Sequence, residues 1–387
     1  MSKKYKKSVL ITGAAGFVGK HMVKEFLSKG YHVIACDINE KELKKVDSYN
    51  GDLEVIKIDM LKEDLIPLFK KVINECEEAY MINLAGLFKF DAPAMPLFLI
   101  NAKLTKNVMA AALKVGGWKH IIHVSTVGTY GTPAKNRKSS PWKDMKPYRE
   151  AEPQIPDNTY GLTKYMGEKC AWRYYKRGLP ISVVRPSLIY GPENRYGIGL
   201  FLQLASYCRN LMKGPLKYII LSLIAIPCRG GTYAHFVHVE DICRACSLIL
   251  NRDDTIGEAY TIGDLHPLNT MVFFDLMLHC ERIKMPWRFV PLSRFLIKHY
   301  DLIFNKYVTR ILEKILKFCF MIYGWHMKYN PEEIPLEISK EWLGYFKSNF
   351  IWDISKLKKL GFKHKYPHMK KGVIENVIWY KKKKWLP

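Results

Sequence analysis

The run Thr12-Gly13-Ala14-Ala15-Gly16-Phe17-Val18-Gly19 constrains this chain more than any other stretch, because glycines at this spacing call for a strand, a tight turn and a helix in that order. The flanks agree with that demand. Ser8-Val9-Leu10-Ile11 reads as a short buried parallel strand, and the apolar periodicity from His21 to Leu27 reads as a helix. Gly13 takes the turn without a Cβ clash, Gly16 lets the backbone approach a pyrophosphate, and Gly19 lets the helix lie close to the strand. The helix N-terminus, beginning at Phe17 and Val18, then faces phosphate charge. A second apolar run over residues 31–36 ends in Asp37, where a carboxylate would bond the adenosine ribose hydroxyls. The same carboxylate would repel a 2′-phosphate, so NAD is the expected cofactor in preference to NADP.

Far downstream stands Tyr160-Gly-Leu-Thr-Lys164. A four-residue spacing puts phenol and ammonium on one helix face. Free tyrosine titrates near ~10, and a charge about 4 Å away at an effective dielectric of ~20 contributes about 4 kcal/mol, or roughly three pKa units. Lys164 is therefore expected to make tyrosinate available near neutral pH, for proton transfer to or from a secondary alcohol as hydride moves. It is also expected to bond the nicotinamide ribose.

In these residues the chain resembles the extended short-chain dehydrogenase/reductase superfamily of NAD-dependent epimerases and dehydratases. The likeness extends through Asp59-Met60, Asn83-Leu84-Ala85-Gly86, Asn101, His123-Val124-Ser125-Thr126, Arg185-Pro186-Ser187-Leu188-Ile189-Tyr190-Gly191-Pro192, residues 236–241, and Asp353…Lys356…Leu360-Gly361-Phe362. The resemblance implies that Asp59 and Met60 contact adenine. It also implies that Leu84, Ala85, Gly86, Asn101, Pro186, Ser187 and Leu188 line the cofactor site along with the glycine run, Asp37, Tyr160 and Lys164. Thr126 falls where such enzymes carry a hydroxyl on the reacting oxygen, with Ser125 as its neighbour and fallback.

Alternating strand-like and helical segments over residues 1–190 indicate an α/β fold with a doubly wound parallel sheet, a Rossmann domain that binds NAD. Residues 236–262 are expected to return to that sheet, and residues 191–387 to form mainly a smaller, mostly helical substrate-binding part. The loop 134–156, rich in Pro, Lys and Ser, is expected to border the active-site mouth. A chain of 387 residues with 48% apolar content can bury a large core. Nine cysteines without regular pairing suggest reduced thiols in a cytoplasmic compartment. The lysines before the first apolar run do not make it a signal peptide, since that run is the first strand and phosphate loop. The longest apolar run, 218–227, is too short to span a bilayer. Cys243 and Cys246 lack a second pair and are expected to pack in a helix, so no metal site is assigned. His238 is expected to end a strand, and Glu240-Asp241 to cap the helix that follows.

Charge adds a separate constraint. The excess is +25, with lysines clustered at residues 3–7 and 381–384 and in a basic, aromatic block over 282–328. Val308, Ile311, Leu312, Ile315, Phe318, Cys319 and Ile322 recur at helical spacing there, with Arg310, Lys314 and Lys317 between them. Packing inward against a substrate domain and lying on an anionic membrane surface both fit this pattern. In the second case the block, its aromatics Trp287, Phe295, Phe318, Phe320 and Trp325, and the two lysine-rich ends would hold the protein peripherally. Nucleic acid is disfavoured as a partner, and a homodimer is compatible with this reading.

Substrate class rests on absences. Sugar-nucleotide dehydratases of the superfamily carry an Asp-Glu pair after the Ser-Thr, where this chain has Val127-Gly128. Epimerase-like members place an arginine where Ala234 stands, leaving Arg195 and Arg229 as other phosphate contacts. The expected activity is therefore NAD-dependent interconversion of a secondary alcohol and ketone on a small hydrophobic substrate of sterol, isoprenoid or flavonoid character. This resembles the 3β-hydroxysteroid dehydrogenase and dihydroflavonol reductase branch. The alternatives are a nucleotide-sugar 4-epimerase with retained NAD and a non-catalytic NAD-binding scaffold at a membrane.

Overall fold

A computed structural model describes residues 4–89, 92–131, 146–211, 232–283, 306–328 and 349–386. The first half alternates β1 (Tyr5–Thr12), α1 (Phe17–Ser28), β2 (His32–Asp37), α2 (Glu40–Asp47), β3 (Leu53–Lys57), α3 (Ile66–Glu75) and β4 (Cys76–Asn83). A helical stretch follows: α4 (Ala94–Phe98), a π-helical turn (Leu99–Lys103) and α5 (Leu104–Val115). Next come β5 (Trp118–Val124), α6 (Thr159–Tyr175), β6 (Ile181–Pro186), β7 (Leu188–Tyr190), α7 (Ile198–Leu211), β8 (Tyr233–Ala234), β9 (Phe236–His238) and α8 (Val239–Leu250). The chain continues with β10 (Ala259–Ile262), β11 (Leu268–Asn269), α9 (Thr270–Cys280), α10 (Lys306–Met327), α11 (Ser355–Lys359) and α12 (Met369–Lys382).

Seven of the strands form one parallel sheet in the order β10-β6-β5-β4-β1-β2-β3. Strands covered on both faces need apolar residues at consecutive positions, and Val9, Leu10 and Ile11 in β1 supply them, all fully buried. One face of the sheet packs Met22, Val23 and Phe26 of α1 with Ile242 and Cys246 of α8. The other takes Phe69 and Val72 of α3, Val108 and Ala112 of α5, and Ala171 and Tyr174 of α6. Strand order reverses between β4 and β1, so the crossovers on either side leave to opposite faces and open a crevice at the carboxyl ends of these two strands. The helix C-terminal to β1 begins at that crevice.

A third apolar cluster lies beyond β6, where Tyr190, Phe201, Phe236, Phe273, Trp352, Tyr380 and Trp385 pack together. Because Trp385 and Leu386 are buried there and Lys381 meets the buried carboxylate of Glu281 at 3.2 Å, the C-terminal lysine cluster is part of a docked helix. Burial of Trp385 and Leu386 fixes this end to the body, while Lys382, Lys383 and Lys384 stay exposed. At the other end Lys7 lies within β1, 3.5 Å from Glu78.

Cys243 and Cys246 are buried on α8, and burial raises both thiols, the second to about 12. His238 ends β9 and stacks on Tyr366 with centroids 3.7 Å apart. The expected cap for α8 is corrected: the His238 ring accepts from the Glu240 amide, whereas Asp241 turns away to accept from the Lys365 and Tyr366 amides at 2.7 and 2.8 Å. Asp241 is already inside the first turn, so its carboxylate is free to pin the segment that leads into α12. The apolar run 218–227, Arg229, residues 134–145, Trp287 and Phe295 lie outside the described residues.

Backbones also approach closely between α6 and the π-helical turn. A Cβ on Gly167 would lie 2.2 Å from the Asn101 carbonyl oxygen, nearer than side chains tolerate. Gly167→Ala should force α6 away from Asn101 and destabilise the protein by roughly 1–3 kcal/mol, read as a lowered urea midpoint at unchanged slope. An unchanged midpoint would show that the helix yields freely.

Candidate active site

The crevice is built first from backbone. Gly13 follows β1 at φ 71°, and a Cβ there would sit 2.8 Å from the Ala85 Cα. Gly19 is tighter still, since its Cβ would fall 2.1 Å from the Gly13 carbonyl oxygen. Gly16 is the N-cap of α1, and its amide donates to the Gly13 carbonyl at 3.1 Å. The turn therefore brings the first amides of α1, at Phe17 and Val18, to the mouth of the crevice, where a helix leaves donors for phosphate oxygens. Only glycine fits at these contacts, and the cradle suits a dinucleotide pyrophosphate.

On the adenosine side, Asp37 ends β2 with one carboxylate oxygen accepting from the Ala15 amide at 3.0 Å and the other from Asn39 at 2.9 Å. The Ile58 amide donates to the Asp37 carbonyl, which brings Asp59 and Met60 alongside. Met60 is buried, and Asp59 accepts from the Leu61 amide. Across the crevice the Thr12 hydroxyl donates to Asn83 at 2.9 Å while accepting from the amides of Leu84 and Ala85 at 3.1 and 3.0 Å. Asn101 is buried in the π-helical turn and braces Leu87 through both ends of its amide. A Cβ on Gly86 would lie 3.3 Å from Asn101 Oδ1 and 3.6 Å from Lys164 Nζ, so these three residues converge at one point. Pro186 ends β6, Ser187 donates to the His235 carbonyl at 2.5 Å, and Leu188 begins β7.

Thr126, Tyr160 and Lys164 meet at the carboxyl end of β5. Thr126 caps a short helical turn by accepting from the Gly128 amide at 3.1 Å, and its hydroxyl is hydrogen-bonded to the Tyr160 phenol. Ser125, the fallback, is buried next to it. Lys164 is buried and donates to the Val124 carbonyl at 2.8 Å. The expected lowering of the phenol by Lys164 is not what the buried site produces. Burial pushes Tyr160 well above its ordinary value, the Thr126 hydrogen bond opposes that rise, and the ammonium is turned to a backbone carbonyl. Burial also brings Lys164 down to about 8, against the pull of Glu168 upward.

Four neighbours of Tyr160 and Lys164 carry no role assigned from the sequence, although one of them, Arg185, opens the run Arg185–Pro192. The Phe88 ring meets Tyr160 edge-on with centroids 5.0 Å apart, and Tyr196 lies 5.6 Å from Phe88 on the same wall. Glu168 and Arg185 form a buried ion pair at 2.5 Å behind the proton-transfer residues. The pair had one legible signal, an acid four residues beyond Lys164 on the same helix face; the aromatic wall had none, because Phe88 sits in a loop. Arg195, a candidate phosphate contact, lies over the Trp385 ring at 5.3 Å and 3.9 Å from Glu42.

The model of the NAD dependent epimerase/dehydratase family matches residues 9–263. A UDP-N-acetyl-alpha-D-glucosaminuronate decarboxylase from Bacillus cytotoxicus is 28% identical over 200 residues, which span 50% of this chain and 57% of that relative. Cinnamoyl-CoA reductase 1 from Oryza sativa subsp. japonica is 27% identical over 67% of this chain and 72% of its own. In three dimensions the chain is similar to the UDP-glucuronic acid 4-epimerase from Bacillus cereus solved with NAD, at TM-score 0.62 and 18% identity, over 97% of this chain and 99% of that one.

Two outcomes follow from the geometry. NAD(H) should bind more tightly than NADP(H) in fluorescence titrations, and Asp37→Ala should narrow the gap by removing ribose hydrogen bonds and charge repulsion together. Equal affinities in the unmodified protein would remove Asp37 from that role. Tyr160→Phe should abolish turnover, a loss of at least about 100-fold in kcat, with NAD binding nearly intact, whereas Lys164→Ala should damage both. A Phe variant that turns over normally would take the phenol out of the chemistry.

Proposed function

This chain belongs to the NAD-dependent epimerase/dehydratase family, whose members are NAD-dependent enzymes, and we propose that it interconverts a secondary alcohol and ketone on a hydrophobic substrate. The observation that carries the reading is the aromatic wall: Phe88 packs edge-on against Tyr160 and is backed by Tyr196. A group that reaches the phenol must slide along apolar rings, which favours an apolar body next to the reacting oxygen. Val127-Gly128 after Thr126 offers no acid and base for dehydration, and Ala234 is a buried small residue where a diphosphate would want an arginine.

NAD supplies a hydride acceptor or donor at its nicotinamide ring. The glycine turn and the first amides of α1 would hold its pyrophosphate, Asp37 its adenosine ribose, and Lys164 its nicotinamide ribose. In reduction Tyr160 passes its phenolic proton to the carbonyl oxygen as that oxygen gains charge, and Thr126 steadies both partners through its hydroxyl. In oxidation the Tyr160 phenolate oxygen takes up the proton of the substrate hydroxyl. The reductase relative, 27% identical, acts as a precedent for reduction within the family.

The second reading, a nucleotide-sugar 4-epimerase with retained NAD, is supported by the likeness to epimerase folds. Mass spectrometry of the purified protein and a paired assay separate the two. The expected result is NADH oxidation with apolar ketones, exchangeable NAD, and no interconversion of UDP-glucose and UDP-galactose. Phe88→Ala should raise KM for an apolar ketone by roughly tenfold with little change in kcat. Tightly retained NAD with sugar epimerisation would replace this proposal with the second.

A further inference from the structure

Helix α10 carries its apolar residues outward. Ile311, Ile315, Phe318, Met321, Ile322 and Trp325 are between 50% and 85% exposed. At 3.6 residues per turn these side chains fall within an arc of about 120°, so they form one stripe along a helix roughly 30 Å long. The exposed cations Arg310, Lys314, Lys317 and Lys328 run along one edge of the stripe. Glu313, the one acid in this helix, already faces Lys317 at 2.5 Å. The helix leans on α7, which leaves the stripe pointing away from the body.

An apolar stripe of this width on a water-soluble face is costly unless something covers it. We infer that α10 lies in the interface of an anionic lipid bilayer, with its stripe in the acyl boundary and its cations among the headgroups. Charge complementarity selects that occupant. The chain carries +25, and the cations border the apolar stripe, as an amphipathic helix lying in the plane of a membrane requires. Trp325, the most exposed of the six, has the amphipathic ring suited to headgroup depth. No helix among the described residues is long and apolar enough to cross a membrane, so the attachment is in-plane. The inference stands apart from the substrate proposal, since it rests on a surface and not on the crevice.

Flotation of the full chain with phosphatidylcholine vesicles, and with vesicles doped with phosphatidylserine, tests it. Binding should require the anionic lipid and should fall steeply between about 0.1 M and about 1 M salt, as the screening length drops from about 10 Å to about 3 Å. Lys314→Glu with Lys317→Glu should weaken binding by roughly tenfold or more. Phe318→Ser with Trp325→Ser should abolish it, and brominated lipid should quench Trp325 fluorescence, judged against Trp325→Phe. All four positions are exposed, so these variants should unfold at the unmodified protein's urea midpoint. Absence of flotation at low salt would overturn the inference, as would flotation that survives the serine variant. A dimer in sedimentation velocity that Phe318→Ser dissociates would give the stripe to a second copy of the chain and overturn it equally.

Discussion

The candidate site depends on one buried ion pair. Glu168 is fully buried on α6, two turns beyond Tyr160 and one beyond Lys164, and Arg185 reaches it from β6 with its Nη2 at 2.5 Å from the carboxylate. Arg185 also donates to the Tyr130 hydroxyl and the Glu150 carbonyl, while Gln154 donates to both carboxylate oxygens of Glu168 at 3.1 Å. Burial pushes the carboxyl up, but the Arg185 guanidinium holds it below its ordinary range, so the pair stays charged. Removing one partner of such a pair costs about 3–5 kcal/mol, because the other is left charged and dry. One interaction thus fixes α6 against β6, the turn after β5 and the loop before α6, and the phenol inherits its position from it.

Packing complements this electrostatic lock. Gly167 lets α6 touch the Asn101 backbone, and Asn101 Nδ2 donates to Thr163 of the same helix at 3.1 Å. The π-helical turn at Leu99–Lys103 places Asn101 between Leu87 and α6. Lys164, Gly86 and Asn101 can converge only because both contacts are made at once. The ammonium is desolvated as a consequence, which lowers Lys164 to about 8 and directs it to a carbonyl at 2.8 Å. A Coulomb estimate at fixed separation misses this, since spacing on a helix sets which face two groups share but not which neighbour an ammonium selects. Burial dominates for the phenol, with only the Thr126 hydrogen bond opposing it.

Much of the fold was legible because it is written locally. The glycine turn, the acid ending β2 and the Tyr160–Lys164 spacing each depend on geometry within a few residues, and the structure places all of them around one crevice. The cap of α8 was not legible, since His238 and Asp241 are both plausible by residue type. What chose between them was the arrival of residues 365 and 366, more than a hundred positions away. Phe88 and Tyr196 were invisible for the same reason, being brought to Tyr160 by separate loops.

The same division governs the two ends of the basic surface. Periodicity from Val308 to Ile322 announced an amphipathic helix, which the structure extends over Lys306–Met327, but was silent on which way its apolar face points. It was equally silent on the C-terminal end, where Trp385 and Leu386 turn inward while Lys382, Lys383 and Lys384 stay outside. By itself the sequence determined the glycine turn, the alternation of strands and helices and the shared helix face of Tyr160 and Lys164, for these follow from backbone sterics and spacing. Only the tertiary structure decided which groups are desolvated, which carboxylate caps or pins, and which apolar stripe remains outside. Solvent exclusion and long-range contacts are properties of the packed chain, and no local pattern encodes them.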